Sequence, residues 1–333
     1  MSAFANVSAV VVGSGSIGRR HMKNLRELGV QFITAVDPDV ERLKPAVDEI
    51  GVIASTDLQA ALSKRPTVAL ICTPPSLHIS QSIMAIQSGA HVFVEKPIAN
   101  DLHSIDQLIA TAAEKKRIVQ VGYNLRFIPA LQTLKALIGH RDLGRVLWAR
   151  FEFGQYLPDW RPWQDYRQSY TARKELGGGI ILDASHEIDL ALWLLGNPTD
   201  LCCLAGKTSS LEMDVEDTAT ILLRFASGAQ ADIHVDCIQR EYSRGLKIAF
   251  ERGTATWSWP ENTLRVFDVD KGEKEYPPGT YMANQMYVEE IKQFLTLVVN
   301  NGTGNSLKEG KEVTRVALAA LKSSEELVWV KLS

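Results

Sequence analysis

The first 120 residues alternate short apolar runs with segments whose apolar residues recur at helical spacing. The apolar runs, rich in Val and Ile, are residues 9–12, 32–36, 68–72, 91–94 and 118–121. Three of the helical segments between them end at Gly29, Gly51 and Gly89. Buried β-branched strands that alternate with helices are typical of a parallel sheet covered on both faces. The pattern therefore predicts a doubly wound α/β fold.

After about residue 122 the pattern changes to a period of two. Apolar and polar residues alternate over 229–237, as in a strand with one buried face. Hairpin turns are predicted at 226–228 and at 251–253. Helical spacing returns at 287–298 and again near the end of the chain. These changes predict a first domain over 1–122 and a second over 123–333, whose last helix, about 311–326, is expected to pack back on the first.

Composition narrows the class of protein. The chain has 333 residues, of which 45% are hydrophobic and 23% charged, with a formal net charge of −3. This balance excludes a disordered chain, and the small negative charge argues against nucleic acid as a partner. The apolar runs are far shorter than the roughly 20 residues of a membrane span, and we expect no signal peptide. No Cys-x-x-Cys spacing occurs, so we expect no metal site, no disulfide framework and a cytoplasmic location.

The segment Gly13-Ser14-Gly15-Ser16-Ile17-Gly18 lies between the first predicted strand and the first predicted helix. In that context Gly-x-Gly-x-x-Gly is typical of a dinucleotide site. Gly13 permits a tight turn, Gly15 lets the backbone approach a pyrophosphate, and Gly18 lets the helix pack on the strand. The free N–H groups at the helix start, at Ser16 and Ile17, attract the anion. A tight turn that binds nothing is the alternative.

Asp37 follows the second strand. A carboxylate there accepts hydrogen bonds from the adenosine ribose and repels a 2′-phosphate, which favours NAD over NADP. Arg42 lies nearby in sequence and could soften this preference. The alternative is a solvated Asp37 that caps the next helix.

Two further segments follow strands at the carboxyl edge of the sheet, where ligands bind in such folds. Thr73-Pro74-Pro75-Ser76-Leu77-His78 forms an extended loop, which is either part of the cofactor site or a rigid loop in which Ser76 caps the helix. Glu95-Lys96-Pro97 ends the next strand. Lys96 could exchange a proton with a substrate if its surroundings lowered its pKa, although a lysine in this position is ordinarily solvated.

A third segment pairs histidine with carboxylates. Gly177, Gly178 and Gly179 precede a helical pattern that contains Asp183, His186 and Asp189 at intervals of three. On one continuous helix each pair would share a face. A carboxylate can orient an imidazole and stabilise its charged form, as acid–base catalysis requires. A surface His–Asp pair on a capped helix is the alternative.

Taken together, these segments resemble the glucose-fructose oxidoreductase/inositol dehydrogenase family, Gfo/Idh/MocA. The resemblance rests on the glycine turn with Arg19 and His21, Thr73-Pro74-Pro75 with His78, Glu95-Lys96-Pro97, Gly122-Tyr123-Asn124-Leu125-Arg126-Phe127, and the triple-glycine helix with His186 and Asp189. It covers nearly the whole chain in order.

The resemblance implies an N-terminal Rossmann domain and a C-terminal α/β domain on a large, mostly antiparallel open sheet that often forms the oligomer interface. It also implies NAD(P)-dependent oxidation or reduction of a sugar, a sugar derivative or a cyclitol, with Lys96 and His186 in the catalytic positions. Many members carry an Asp four residues before the histidine. Here Asp183 is three residues before it, so its role needs a test.

Residues 156–174 combine aromatic and basic side chains in an unusual way. Aromatic faces pack on sugar C–H surfaces, and Arg binds carboxylate or phosphate. We therefore predict that this arm lines the substrate entrance for an acidic or nucleotide-linked sugar. The alternative is an interface arm that packs on another subunit.

The sequence thus predicts an NAD-dependent oxidoreductase that acts on a hydroxyl-bearing carbon of a carbohydrate and assembles as a dimer or tetramer through its C-terminal sheet. The predicted catalytic residues are Lys96, His186 and Asp183. The predicted cofactor-binding residues are Gly13, Gly15, Ser16, Ile17, Gly18, Asp37, Thr73, Pro74, His78, Glu95 and Lys96. The predicted substrate-binding residues are Asn124, Arg126, Trp163, Tyr166, Arg167 and Asp189. The alternatives are a non-catalytic NAD-dependent regulator and an NAD-assisted glycosidase or lyase.

Overall fold

The computed structural model describes residues 3–304 and 306–332. The chain divides into two compact units, each built from two stretches of sequence. Unit 1 comprises Met1–Asn124 and Ala283–Lys311, and unit 2 comprises Leu125–Met282 and Glu312–Ser333. The sequence assigned 283–311 to the second domain, whereas these residues belong to unit 1; the division into domains at residue 122 stays a prediction.

Unit 1 contains a six-stranded sheet in the order β3-β2-β1-β4-β5-β6. All of its strand pairs are parallel. The strands are β1 (Ser8–Val12), β2 (Phe32–Val36), β3 (Ile53–Ser55), β4 (Val68–Ile71), β5 (His91–Glu95) and β6 (Val119–Gly122). The helices are α1 (Ser16–Glu27), α2 (Val40–Ile50), α3 (Leu58–Leu62), α4 (Pro75–Gln87), α5 (Leu102–Lys115) and, later in the chain, α10 (Gln285–Val299). This strand order is that of the Rossmann fold, which confirms the predicted class.

The core of unit 1 lies between this sheet and the helices on it. Every residue of β4 is buried, as expected of a central parallel strand. Helix α10 contributes to the same core from far along the chain, through Ile291, Phe294, Leu295 and Val298. Residues 283–311 are therefore part of the hydrophobic core of unit 1.

Unit 2 contains a nine-stranded sheet in the order β14-β13-β12-β11-β7-β10-β9-β8-β15. Strands β7 and β10 are parallel and the other neighbours are antiparallel. The strands are β7 (Val146–Gly154), β8 (Pro198–Gly206), β9 (Thr218–Phe225), β10 (Gln230–Asp236), β11 (Ser243–Phe250), β12 (Gly253–Trp259), β13 (Thr263–Asp268), β14 (Gly272–Tyr276) and β15 (Val330–Lys331). The large, mostly antiparallel sheet and both predicted hairpins are confirmed.

The helices of unit 2 are α6 (Pro129–His140), α7 (Leu157–Trp160), α8 (Ile180–Asp183) and α9 (Ser185–Leu195). Helix α11 (Leu307–Glu326) follows α10. The continuous helix predicted through Asp183 and His186 is wrong, because the backbone leaves helical geometry at Ala184 (φ −84°, ψ 28°) and divides it into α8 and α9. None of the helices in the described residues is long and apolar enough to cross a membrane.

Candidate active site

The glycine turn in unit 1 has the shape that a pyrophosphate needs. Gly13 has φ +94°, and a Cβ there would lie 2.7 Å from the carbonyl oxygen of Cys72. A Cβ on Gly18 would lie 1.9 Å from the carbonyl oxygen of Gly13, so only glycine lets α1 come this close. A Cβ on Gly15 would meet no atom of the described residues within 4 Å, so the space beside Gly15 is open.

The start of α1 fits an anionic ligand. Helix α1 begins at Ser16, and no side chain of the described residues caps this end. The buried hydroxyl of Ser14 likewise has no hydrogen-bond partner in the part of the chain that the structure describes. Open space, free N–H groups and an unpaired buried hydroxyl together suit the phosphates of a dinucleotide.

Asp37 is fixed beside this turn. Its carboxylate is 4% exposed and accepts hydrogen bonds from the backbone N–H of Ser14 (2.8 Å) and of Asp39 (3.0 Å). The helix-cap alternative is wrong, because Asp39 is the residue that caps α2, through the N–H of Glu41. Arg42 is exposed and lies 3.5 Å from Asp39. The turn and the carboxylate thus lie side by side after the neighbouring strands β1 and β2, in the arrangement that a phosphate cradle and a ribose acceptor require.

The loop after β4 is joined to the segment after β5 through the buried ring of His78. Thr73 donates its hydroxyl hydrogen to Gln81 at 2.6 Å, and Pro74 precedes α4 with no side-chain cap, so the Ser76 cap is absent among the described residues. The ring of His78 is buried, with Nδ1 2.9 Å from the carbonyl oxygen of Pro97 and Nε2 2.7 Å from that of Thr73. Both ring nitrogens thus face backbone carbonyls, and the predicted contact of His78 with the cofactor stays a prediction.

Lys96 follows β5 and is partly buried. The Lys96–Pro97 bond is cis. Before it, Glu95 lies 2.7 Å from Nε2 of the fully buried His21. His21 was noticed in the sequence only as part of a family resemblance, but its position three residues after Gly18 on α1 points it toward the sheet.

In unit 2, Asp183 has partners that its spacing to His186 does not predict. Its buried carboxylate accepts hydrogen bonds from the hydroxyls of Tyr170 and Thr171, the latter at 2.6 Å. His186 is buried in the first turn of α9, beyond the break at Ala184. The shared helix face assumed for Asp183 and His186 does not form. Thr171 was missed as a functional candidate, and Tyr170 was predicted only as part of the aromatic arm. They lie 12 and 13 residues from Asp183, with no regular spacing that marks the contact.

Asp189 forms an ion pair with Arg126. Its carboxylate is fully buried and meets Arg126 twice, Nε to Oδ2 at 3.0 Å and a terminal nitrogen to Oδ1 at 2.6 Å. Arg126 and Asp189 are each other's charge partners, and their predicted contact with substrate stays a prediction. Asn124 in unit 1 is buried, and its amide oxygen has no hydrogen-bond partner in the described residues.

The aromatic and basic arm consists of α7 and three short 3-10 turns over 166–176. Trp163 is 73% exposed. Tyr166 is partly buried and accepts a hydrogen bond from the N–H of Glu212 at 3.0 Å. The exposed guanidinium of Arg167 pairs with Asp165 at 2.9 Å and with Glu212 at 3.4 Å. Of the arm residues predicted to bind substrate, Trp163 presents the most open surface.

No group of His, Cys, Asp and Glu in the described residues could hold a metal ion. The four cysteines are free thiols.

Two family models match the chain, one for each half. Residues 7–123 match the GFO_IDH_MocA model, an oxidoreductase family with an NAD-binding Rossmann fold, and residues 131–256 match the GFO/IDH/MocA C-terminal domain. The chain belongs to the Gfo/Idh/MocA family. As a member of that family it is an NAD-binding oxidoreductase, and the glycine turn, Asp37 and the loop after β4 lie within the matched NAD-binding domain.

Two relatives of this Gfo/Idh/MocA protein align with most of its length. Myo-inositol 2-dehydrogenase of Thermotoga maritima is 27% identical over 340 residues, which covers 97% of each chain. UDP-N-acetylglucosamine 3-dehydrogenase of Acidithiobacillus ferrooxidans is 26% identical over 271 residues, 81% of this chain and 79% of that one.

A solved structure shares the fold. Levoglucosan dehydrogenase in complex with NADH and L-sorbose has a TM-score of 0.89 at 20% identity, over 98% of this chain and 99% of that chain. At this identity the likeness supports the fold.

Proposed function

We propose that this protein is an NAD-dependent dehydrogenase of a sugar, of an acidic or nucleotide-linked sugar, or of a cyclitol. The observation that carries the proposal is the phosphate cradle at Gly13–Gly18 beside the buried, fixed carboxylate of Asp37. The named activities of the relatives, on inositol and on UDP-N-acetylglucosamine, support the substrate class.

NAD supplies the hydride acceptor when it is bound. The backbone of Gly13, Gly15, Ser16, Ile17 and Gly18 holds its phosphates, and Asp37 accepts hydrogen bonds from the adenosine ribose. Thr73, Pro74, Glu95 and Lys96 complete the cofactor site along the carboxyl ends of β4 and β5.

Lys96 and His186 handle the proton of the reacting hydroxyl. Lys96 is partly buried at the end of β5, and His186 supplies a buried imidazole that can accept or return a proton. We assign Asp183 rather than Asp189 as the carboxylate of this acid–base group, because Asp189 is neutralised by Arg126. Tyr170 and Thr171 then hold Asp183 in place.

Substrate recognition is proposed for Asn124 and for the arm. The buried amide oxygen of Asn124 lacks a partner among the described residues and could accept a substrate hydroxyl. Trp163 offers an open aromatic face for a sugar ring. Tyr166 and Arg167 lie beside it in sequence, and Arg167 would exchange one of its carboxylate partners for an anionic substrate. Packing of the arm on another subunit is the opposing interpretation.

We further propose a homo-oligomer, a dimer or tetramer, through the nine-stranded sheet. Leu204, Leu222 and Trp329 are exposed there, with the guanidinium of Arg224 4.5 Å above the Trp329 ring. Exposed apolar side chains on one sheet are typical of an interface. The free thiols fit a reducing compartment, and we propose the cytoplasm.

The decisive experiment is a screen for NADH formation by fluorescence with cyclitols, aldoses, uronic acids and nucleotide sugars. Substrate-dependent reduction of NAD supports a dehydrogenase. Bond cleavage with tightly retained NAD and no net NADH would instead identify an NAD-assisted glycosidase or lyase. Saturable sugar binding with no turnover in any direction would identify a regulator.

A further inference from the structure

Two buried histidines contact the residues on either side of Lys96. Nε2 of His21, on α1, lies 2.7 Å from Oε1 of Glu95. Nδ1 of His78, on α4, lies 2.9 Å from the carbonyl oxygen of Pro97. Both residues are buried, with His21 0% and His78 1% exposed to solvent. The segment that carries Lys96 is therefore attached to one helix before the lysine and to another after it.

The contact at Glu95 is tightly packed. The His21 ring packs edge-on against Phe93 with centroids 5.2 Å apart, and against Tyr287 at 6.3 Å. On the other side of Glu95, a Cβ on Gly122 would lie 3.3 Å from Oε2. The absence of a side chain at Gly122 leaves the space that the Glu95 carboxylate fills. Both carboxylate oxygens are therefore confined.

The contact at Pro97 is one half of a bridge. Nε2 of His78 lies 2.7 Å from the carbonyl oxygen of Thr73, so the ring joins the loop after β4 to the segment after β5. A carbonyl oxygen only accepts, so the protonated ring donates to both and the neutral ring donates to one. Burial lowers the pKa of His78, the two carbonyls and Glu95 oppose that shift, and the Lys96 ammonium adds to it.

We propose that His21 and His78 are positioning residues that hold Lys96 in place for proton transfer. His21 fixes the residue before the lysine through its side chain, and His78 fixes the residue after it through its backbone. The inference rests on the proposed role of Lys96. Its physical basis is that displacement of a catalytic group by about 1 Å can cost about a hundredfold in rate.

Amide substitutions separate the two ends of the His78 bridge. The side-chain nitrogen of Asn occupies the place of Nδ1, and that of Gln the place of Nε2. His78→Asn keeps the contact with Pro97, and His78→Gln keeps only the contact with Thr73. We expect His78→Gln to lower kcat by about tenfold to a hundredfold and His78→Asn to retain at least about ten times the kcat of His78→Gln.

The order reverses at His21, where Nε2 makes the contact. His21→Gln keeps a donor for Glu95, and His21→Asn does not, so His21→Asn has the lower kcat. The matched control is His91, which lies at the opposite end of β5 and whose Nδ1 accepts the N–H of Ile118 at 3.0 Å. His91→Asn and His91→Gln should leave kcat unchanged. The probe substrate is the compound that gives the fastest NAD reduction in the screen.

Hydrogen exchange at residues 94–98, without substrate, tests the anchoring independently of turnover. We expect faster exchange there in His78→Gln and His21→Asn than in the His91 variants at equal melting temperature. Equal exchange in all variants, or kcat losses that follow the melting temperature regardless of Asn or Gln, would overturn the inference. Failure of the proposed role of Lys96 is a different result: Lys96→Ala would then keep its kcat while the exchange differences persist.

Discussion

Arg126 and Asp189 meet through two parallel contacts, of 3.0 Å and 2.6 Å, although 63 residues separate them in sequence. Arg126 follows β6 directly, and Asp189 lies one turn after His186 on α9. The pair therefore fixes the rotation of α9 about its own axis. That rotation sets the orientation of the residues in the first turn of α9.

Removal of Arg126 from its pair with Asp189 should strongly lower the free energy of unfolding. Arg126→Ala leaves the Asp189 carboxylate buried without its charge partner, and we expect a loss of about 3–5 kcal/mol in the free energy of unfolding. Arg126→Lys should keep only part of this stability, since the lysine ammonium cannot contact both Asp189 oxygens in the two-point geometry of arginine. Urea unfolding measures both. The matched control is the exposed pair of Arg145 and Glu251, where Arg145→Ala should cost less than about 1 kcal/mol.

Asp37 should determine the choice of cofactor. We expect kcat/KM for NAD to exceed that for NADP by at least about tenfold, or about 1.4 kcal/mol. Asp37→Ala removes the carboxylate that repels the 2′-phosphate and should bring the two values together. Asp57→Ala, which removes the cap of α3, is the control and should preserve the ratio. A wild-type preference for NADP would contradict the assignment.

Lys96→Ala should separate chemistry from cofactor binding. We expect kcat to fall by about 10²–10⁴-fold, the usual contribution of a general acid–base group. The dissociation constant for NADH, measured by fluorescence titration, should change little, because the glycine turn carries most of the affinity. Lys44→Ala, at an exposed lysine on α2, is the control. A Lys96→Ala enzyme with nearly native kcat would remove this residue from the mechanism.

Tyr170→Phe tests the support of Asp183. The substitution removes one of two hydroxyl donors to a buried carboxylate, which should cost about 1–3 kcal/mol in unfolding free energy. If Asp183 serves catalysis, kcat should fall as well at temperatures where the variant is fully folded. Tyr276→Phe, at the end of the edge strand β14, is the control and should leave kcat unchanged. Loss of stability with full kcat would assign Asp183 to structure alone.

The pair of His234 and Asp236 should make stability depend on pH. The hydrogen bond that Nε2 of His234 donates to the Asp236 carboxylate, at 3.2 Å, raises the pKa of His234. Partial burial and Arg150 oppose this shift, and the charge of Glu152 adds to it. The contribution is therefore complete below the unfolded pKa of about 6.5 and is lost as pH rises through the higher folded pKa. His234 is partly exposed, so the effect should stay below about 1 kcal/mol. Unfolding of His234→Gln at about pH 5.5 and pH 8.5 should show a smaller difference than the wild type.

The first unit was largely predictable because most of its strands are largely buried apolar runs rich in Val, Ile and Ala. Strand β3 was missed, since it has three residues and two of them are exposed, so no apolar run marks it. The sequence analysis also missed that residues 283–311 belong to unit 1. Helical spacing indicates that one face of the helix is buried, but it does not indicate the sheet on which that face packs.

In the candidate site, the glycine turn and Asp37 were predictable because their geometry is local to one strand–helix connection. The partners of Asp183 and Arg126 were not, since they come from distant segments. The break at Ala184 has the same explanation. At the end of α8, hydroxyls of the irregular arm hold the Asp183 carboxylate, and helical periodicity in the sequence does not reveal such a contact.

The contribution of α10 to the core of unit 1 determines when that core can be completed during synthesis. Residues 1–124 leave the ribosome first, yet Ile291, Phe294 and Leu295 fill the same core and are made more than 160 residues later. At about 5–20 residues per second, the nascent Rossmann sheet waits many seconds with one face open. The core of unit 1 can therefore be completed only after residues 283–311 have been synthesised. A chain truncated before these residues should expose apolar surface, bind chaperones and lack enzymatic activity.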